Sequence, residues 1–68
     1  MTYWVKIVGG TVRAVARTDG GKHDVLRPGG WEFSPRLQGA IHDGVYDAVD
    51  EQDARRAATL LQLDWPDD

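Results

Sequence analysis

The chain has 68 residues, a formal net charge of −3 and no Cys. A chain of this size forms one domain with a thin core, and without Cys it lacks disulfide bonds and thiolate metal ligands. We therefore expect a single domain over residues 1–68 that depends on packing, or on a partner, for its stability.

The sequence carries no membrane or export signal that we recognise. No stretch reaches the length of about 20 apolar residues that spans a bilayer, and the first residues lack the basic head and apolar run of a signal peptide. The strongest helical segment starts with acidic residues, whereas a helix that lies on a membrane surface is basic. We expect a cytoplasmic protein with no membrane partner, a location that also suits a chain without Cys.

Charged residues are distributed unevenly along the chain. Six bases and three acids lie in residues 1–36, whereas two bases and eight acids lie in residues 37–68. Such asymmetry is typical of a protein with a basic binding face or an acidic interaction tail. In a small domain the two halves can instead attract each other within the fold. Both interpretations stay open at this point.

The N-terminal segment predicts a β-hairpin. Residues 2–8 and 11–18 are rich in β-branched and aromatic residues, and Gly9-Gly10 lies between them. A two-residue turn fixes the register by pairing Val8 with Thr11. Counting from that pair predicts a core-facing side made of Tyr3, Val5, Ile7, Val12, Ala14 and Ala16.

The opposite side of this hairpin is predicted to be its outer face. It is basic with one aromatic residue, and it carries Trp4, Lys6, Arg13, Val15 and Arg17. In the predicted register Lys6 lies directly opposite Arg13, which is an unfavourable like-charge pair. We therefore expect these two side chains to spread into solvent or to be matched by an acid such as Asp47.

The middle of the chain predicts further strands. Residues 19–21 read as a second turn, and residues 22–27 can form a third antiparallel strand. Residues 28–30 are predicted to end the third strand. A short extended segment, 31–33, follows, and its two aromatic side chains are expected to point the same way and cap the core. Residues 45–49 predict a short strand at a sheet edge.

Two helices are predicted. Ser34-Pro35 is typical of a helix start, and Gly44 stands where a left-handed C-terminal cap would lie. Asp50 predicts the N-cap of a second helix that runs to about residue 61. The buried stripe of the first helix is Leu37, Ala40 and Ile41. That of the second helix is Ala54, Ala57, Ala58 and Leu61.

Together these elements predict a small two-layer α+β domain. Its N-terminal β-hairpin extends to a three- or four-stranded antiparallel sheet, which is packed by two helices on one face. Residues 63–68 are predicted to be a non-helical acidic tail, in which Trp65 can dock on the domain.

The order of these segments resembles a group of small proteins. Tyr3-Trp4-Val5, then the turn from Pro28 to Glu32, then Val45-Tyr46-Asp47 before an acid-capped helix, is similar to short uncharacterised proteins of high-GC actinobacteria and their phages. The resemblance covers most of the chain and implies the strand and helix order and an accessory role. It implies no activity, cofactor or site residue.

Patterns of catalysis and metal binding are weak. His23-Asp24 and His42-Asp43 each place neighbouring side chains in different directions, so neither dipeptide forms a metal site alone. Ser34 is the single Ser and is explained by capping. The three Gly-Gly pairs lack the spacing and the Lys-Ser/Thr ending of a phosphate loop. We predict no enzyme activity, no cofactor and no metal.

The outer face of the hairpin is the predicted functional surface. Aromatic and Arg side chains are enriched at protein interfaces. We therefore predict a small interaction or regulatory module that binds a protein partner, or a second copy of itself, through Trp4, Lys6, Arg13, Val15 and Arg17. The alternative is that the chain binds single-stranded nucleic acid, with a base stacked on Trp4 among Lys6, Arg13 and Arg17. The low pI of the chain, near 5.1, argues against this alternative.

Overall fold

The computed structural model describes residues 1–66 and consists of one antiparallel sheet and two helices. The elements are β1 Thr2–Val8, β2 Thr11–Asp19, β3 Lys22–Arg27, β4 Gly30–Phe33, α1 Leu37–His42, β5 Asp47–Val49 and α2 Glu51–Leu60. The sheet has five strands in the order β4-β3-β2-β1-β5. The predicted α+β class is confirmed, and the sheet is wider than predicted because β4 and β5 each add an edge strand. No helix within residues 1–66 is long and apolar enough to cross a membrane.

The predicted turn between β1 and β2 is confirmed. Gly9 and Gly10 have φ angles of 58° and 79°, in the left-handed region that residues with a Cβ adopt at a cost. The turn pairs Val8 with Thr11 and then Ile7 with Val12, as the count from the glycines predicts.

The register of this hairpin departs from the predicted one beyond Val12. Lys6 pairs with Ala14 and Val5 pairs with Val15, so Arg13 is an extra residue in a β-bulge. The bulge has two physical consequences. Lys6 no longer pairs with the like-charged Arg13. Val15, rather than the smaller Ala14, now faces the core opposite Val5.

One face of the sheet, here called the α2 face, packs against α2. Val5, Val15 and Leu26 of the sheet are buried there. The helix contributes three buried alanines, Ala54, Ala57 and Ala58, as its pattern predicts. Small side chains let the helix lie close to the strands, so this part of the core excludes water.

The opposite face, here called the α1 face, packs against α1. Its core consists of Ala16, Val25 and Leu37, with Ile41 packed against them. The two helices therefore lie on opposite faces of the sheet, rather than on one face as the two-layer arrangement predicted. The physical reason is that neighbouring residues of β2, such as Val15 and Ala16, are both buried, which requires cover on both sides.

The two helix starts differ. Asp50 caps α2 as predicted, because its side chain accepts a hydrogen bond from the backbone N–H of Asp53 at 2.8 Å. The expected cap at Ser34 is wrong: α1 begins at Leu37, its N-cap position is Arg36, and no side chain caps it. Ser34 instead donates its backbone N–H to the carbonyl of His23 at 2.9 Å, which ties the start of the α1 segment to β3.

The C-terminal segment is non-helical through Pro66, as predicted, and Trp65 docks on the domain. Its ring centroid lies 5.4 Å from that of Tyr3 and 5.3 Å from that of Trp31. The last two residues of the predicted acidic tail, 67–68, lie outside the described residues.

Candidate binding cleft

The five residues of the predicted outer face do not share one surface. Val15 has 0% of its area exposed, so its expected place on an exposed face is a correction that follows from the bulge at Arg13. Arg17 lies on the α2 face, where its Nε donates to Oδ2 of the buried Asp24 at 3.1 Å. Its guanidinium also stands 4.5 Å from the ring centroid of Trp31.

Trp4 is on the α1 face but is not an exposed platform. It is half-buried against the cluster of Ala16, Val25 and Leu37, and its indole N–H donates to the Thr18 hydroxyl at 3.0 Å. That hydroxyl lies 2.8 Å from Nδ1 of His23, which completes a short polar chain along β1, β2 and β3. Trp4 therefore packs beneath α1, the arrangement that the sequence left open beside an interface role.

Lys6 and Arg13 remain together, and they line a cleft of about 310 Å³ between the sheet and the α1 segment. We call it the basic cleft. Its lining consists of Lys6, Arg13, Ala14, Val25, Arg27, Ser34, Arg36, Leu37, Ala40 and Tyr46. Four of these residues are Lys or Arg and none is acidic.

The sheet positions three of the four cations. Lys6 on β1 pairs with Ala14 on β2, and Arg13 sits in the bulge beside Ala14. Arg27 follows Val25 by two residues on β3, and Val25 pairs with Ala16, so Arg27 lies on the α1 face as well. The small side chain of Ala14 leaves a depression between the cations of the neighbouring strands.

The α1 segment supplies the other wall. The turn before the helix carries Ser34 and Arg36, and the helix contributes Leu37 and Ala40. Tyr46 closes the cleft from the segment between α1 and β5. Burial raises the pKa of Tyr46 above its ordinary value of 10.0, an effect that the charge of Arg27 partly opposes. Its hydroxyl therefore stays neutral at physiological pH.

The cations of the basic cleft are largely uncompensated within residues 1–66. Lys6, Arg13 and Arg36 form no ion pair there. Arg27 contacts Glu32 at 3.4 Å, but both side chains are exposed, so the pair is weak. The acid expected to match Lys6 is elsewhere: Asp47 pairs with Val5, whose side chain faces α2. The cleft thus combines positive charge with neutral hydroxyl groups, a chemistry that favours anions.

Sequence reasoning missed Arg27, Arg36 and Tyr46 as members of this site. Arg27 and Arg36 lie far from Lys6 along the chain. The order of the strands brings Arg27 to the same face, and the α1 segment brings Arg36. The excess of bases in residues 1–36 was the signal that could have pointed to them. The halves do not simply neutralise each other at this surface, since no acid within residues 1–66 lines the cleft.

A second cluster lies on the α2 face and holds the C-terminal segment in place. Tyr3, Trp31 and Trp65 contact one another, and the guanidinium of Arg55 stands 5.0 Å from the ring centroid of Trp65. Arg55 also donates to Glu51 at 2.9 Å. These ring contacts and the Arg55–Glu51 hydrogen bond explain the cluster as packing of the C-terminal segment against the domain.

The histidines do not form a metal site. His23 bonds Thr18, and His42 is exposed at the end of α1. No group of three or more His, Cys, Asp or Glu side chains in the described part of the chain could hold a metal ion.

A scan against models of protein families, a search of curated proteins and a search of solved structures each find no match.

Proposed function

We propose that this chain is a small non-catalytic interaction module that binds a protein partner through the basic cleft. The observation that carries the proposal is the gathering of Lys6, Arg13, Arg27 and Arg36 around one concave surface without an acid in its lining. Like charges repel one another, so holding four cations together lowers stability unless a ligand uses them. A binding role supplies the reason for the arrangement.

The proposal keeps two residues of the sequence prediction and replaces the others. Lys6 and Arg13 stay in the binding surface, while Arg27 and Arg36 take the places of Val15 and Arg17. Trp4 supports the α1 face from below, since it packs against the same buried cluster as Tyr46. A cytoplasmic location is part of the proposal, because a chain without Cys needs no oxidising compartment.

Single-stranded nucleic acid is the second candidate, because phosphates also bind clustered Lys and Arg. The observation that favours it is the same set of cations. Two observations weigh against it. The indole of Trp4 is half-buried and hydrogen-bonded, so it offers no open ring for a base, and the whole chain has a net charge of −3.

A charge-matched pair of variants tests the proposal. Arg13→Glu reverses a cleft charge, and Arg56→Glu reverses an exposed charge on α2, where Arg56 contacts Asp53 at 2.9 Å. Both variants have the same net charge. The immobilised protein is exposed to a nuclease-treated lysate of its source cells, and bound proteins are identified by mass spectrometry.

The proposal predicts proteins that the unchanged chain and Arg56→Glu retain and that Arg13→Glu loses. Equal retention by both variants contradicts it, because binding would then not involve the cleft. Loss of all binding on nuclease treatment supports the nucleic-acid candidate instead.

A separate measurement tests whether the partner is a second copy of this chain. The hairpin end and α2 leave Ile7, Val8 and Leu60 exposed, and Leu60 has 73% of its area exposed. Light scattering across a dilution series decides whether a second copy binds. A monomer at all concentrations leaves a different protein as the partner.

A further inference from the structure

We infer that the basic cleft takes a short acidic peptide segment in which an aliphatic side chain stands next to carboxylates. The inference rests on the proposed function, and it adds the chemistry of the ligand. Three features lead to it: aliphatic side chains in the floor of the cleft, a cationic rim and the acidic character of the rest of the chain.

The floor of the cleft includes aliphatic side chains. Ala14 and Ala40 are partly exposed in its lining, and they lie above Val25 and Leu37, which are buried in the core. An aliphatic ligand side chain that covers such a floor removes apolar surface from water on both partners. A bare phosphate or a sugar-phosphate backbone brings no such group.

The rim is cationic and forked. Three of its four cations are Arg, whose planar guanidinium binds a carboxylate through two parallel hydrogen bonds. Arg13 and Lys6 stand on one side of Ala14, and Arg27 stands on the strand beyond it. Carboxylates on either side of a seated aliphatic residue therefore meet cations in both directions.

The rest of the surface limits the length of the anion. The α2 helix starts with the acids Asp50, Glu51 and Asp53, and the C-terminal half is acidic overall. A long polynucleotide brings many more negative charges to this acidic chain than a short acidic segment does, so the net charge of −3 opposes it more strongly.

The test uses short synthetic peptides and the whole protein. The probe is a peptide of Glu residues with one central Leu, and two controls change one property each: Gln in place of every Glu, and Ala in place of Leu. A single-stranded oligonucleotide of matched charge is the third ligand. Binding is measured by isothermal titration calorimetry at low and high salt, with Arg13→Glu and Arg36→Glu as cleft variants and Arg56→Glu as the control.

The inference predicts that the Glu-Leu peptide binds more tightly than both control peptides and the oligonucleotide. Arg13→Glu and Arg36→Glu each weaken it about tenfold or more, and Arg56→Glu leaves it within about twofold. Thermal unfolding of each variant verifies that it folds. Two cleft variants keep the test decisive if one of them is unstable.

Failure of the inference and failure of the proposed function give different results. If the peptide does not bind, or binds no better than the Gln control, while Arg13-dependent protein capture persists, the ligand chemistry is overturned and the interaction role stands. If the oligonucleotide binds best and protein capture is unaffected by Arg13→Glu, both are overturned. Equal binding of the Leu and Ala peptides overturns the apolar part of the inference.

Discussion

The two faces of the sheet are covered to different extents. On the α2 face, a helix of ten residues lays three buried alanines on Val5, Val15 and Leu26. On the α1 face, a helix of six residues buries only Leu37 completely. A helix rises 1.5 Å per residue, so α1 is only about 9 Å long and leaves part of its face uncovered.

The difference between the α2 face and the α1 face indicates where a binding site can lie in so small a domain. The α2 face carries most of the buried core, together with the docked Trp65 and the paired Arg17 and Asp24. Its depressions contain acidic or apolar side chains, whereas the basic cleft on the α1 face is lined by four cations, of which only Arg27 has an ion-pair partner within residues 1–66. The proposed function therefore assigns binding to the α1 face.

The largest expected difference concerns the ion pairs of the two faces. Asp24 has 3% of its area exposed and accepts from Arg17, so Asp24→Ala removes a buried ion pair and hydrogen bond from the α2 face. We expect the free energy of unfolding in urea to fall by about 3 kcal/mol. Glu32→Ala removes the exposed partner of Arg27 at the α1 face and should change the free energy of unfolding by less than about 1 kcal/mol. Equal losses would contradict the contrast between the faces.

The register of the hairpin gives the next effect. Val15→Ala removes two buried methyl groups from the α2 face and should lower the free energy of unfolding by about 2 kcal/mol. Val8→Ala is the matched control, since Val8 has 51% of its area exposed and should lose only a few tenths, about 0.3 kcal/mol. If Val15→Ala did not change the free energy of unfolding, the Val15 side chain would have to lie in solvent, which is the register without a bulge.

The two helix starts differ by a smaller amount. Asp50→Ala removes the side-chain cap of α2 and should reduce the free energy of unfolding by about 1 kcal/mol. Ser34→Ala should have an effect below about 0.5 kcal/mol, because the Ser34 side chain caps no helix. Both values come from denaturant titration. A larger loss for Ser34→Ala than for Asp50→Ala would reverse the assignment of caps.

Tyrosine titration gives the smallest effect and sharpens the contrast at high pH. Burial raises the pKa of Tyr46 at the α1 face, and burial followed by the charge of Glu51 raises the pKa of Tyr3 at the α2 face. The unfolded chain then releases these protons at lower pH than the folded chain, so stability falls as pH rises above about 10. Tyr46→Phe should make the decline of the unfolding temperature shallower than in the unchanged chain. Identical profiles would contradict the burial of Tyr46.

Local chemistry made part of the fold predictable from sequence. Gly9-Gly10 dictates the first turn because both residues need positive φ, and Asp50 dictates the start of α2 because a carboxylate satisfies a free backbone N–H. The bulge at Arg13 has no such local mark. Its benefit appears only when Val15 has α2 to pack against and Lys6 must avoid a like charge, which are long-range properties.

The candidate site was predictable only in part for the same reason. Lys6 and Arg13 are close in the hairpin, so their shared face followed from strand alternation. Arg27 joins them through the order of the strands and Arg36 through the packing of α1 on that face, whereas the sequence predicted both helices on the other face of the sheet. The run of adjacent buried residues in β2 was the sign that both faces need cover.

An NMR titration of the isotope-labelled protein with the Glu-Leu peptide tests most directly whether the basic cleft is the binding surface. We expect backbone amide shifts concentrated at Lys6, Arg13, Arg27 and Arg36, with α2 unchanged and with no shifts from the Gln control peptide. Shifts centred on the Tyr3, Trp31 and Trp65 cluster, or none on the α1 face at saturating peptide, would contradict the central claim that the basic cleft is the binding surface.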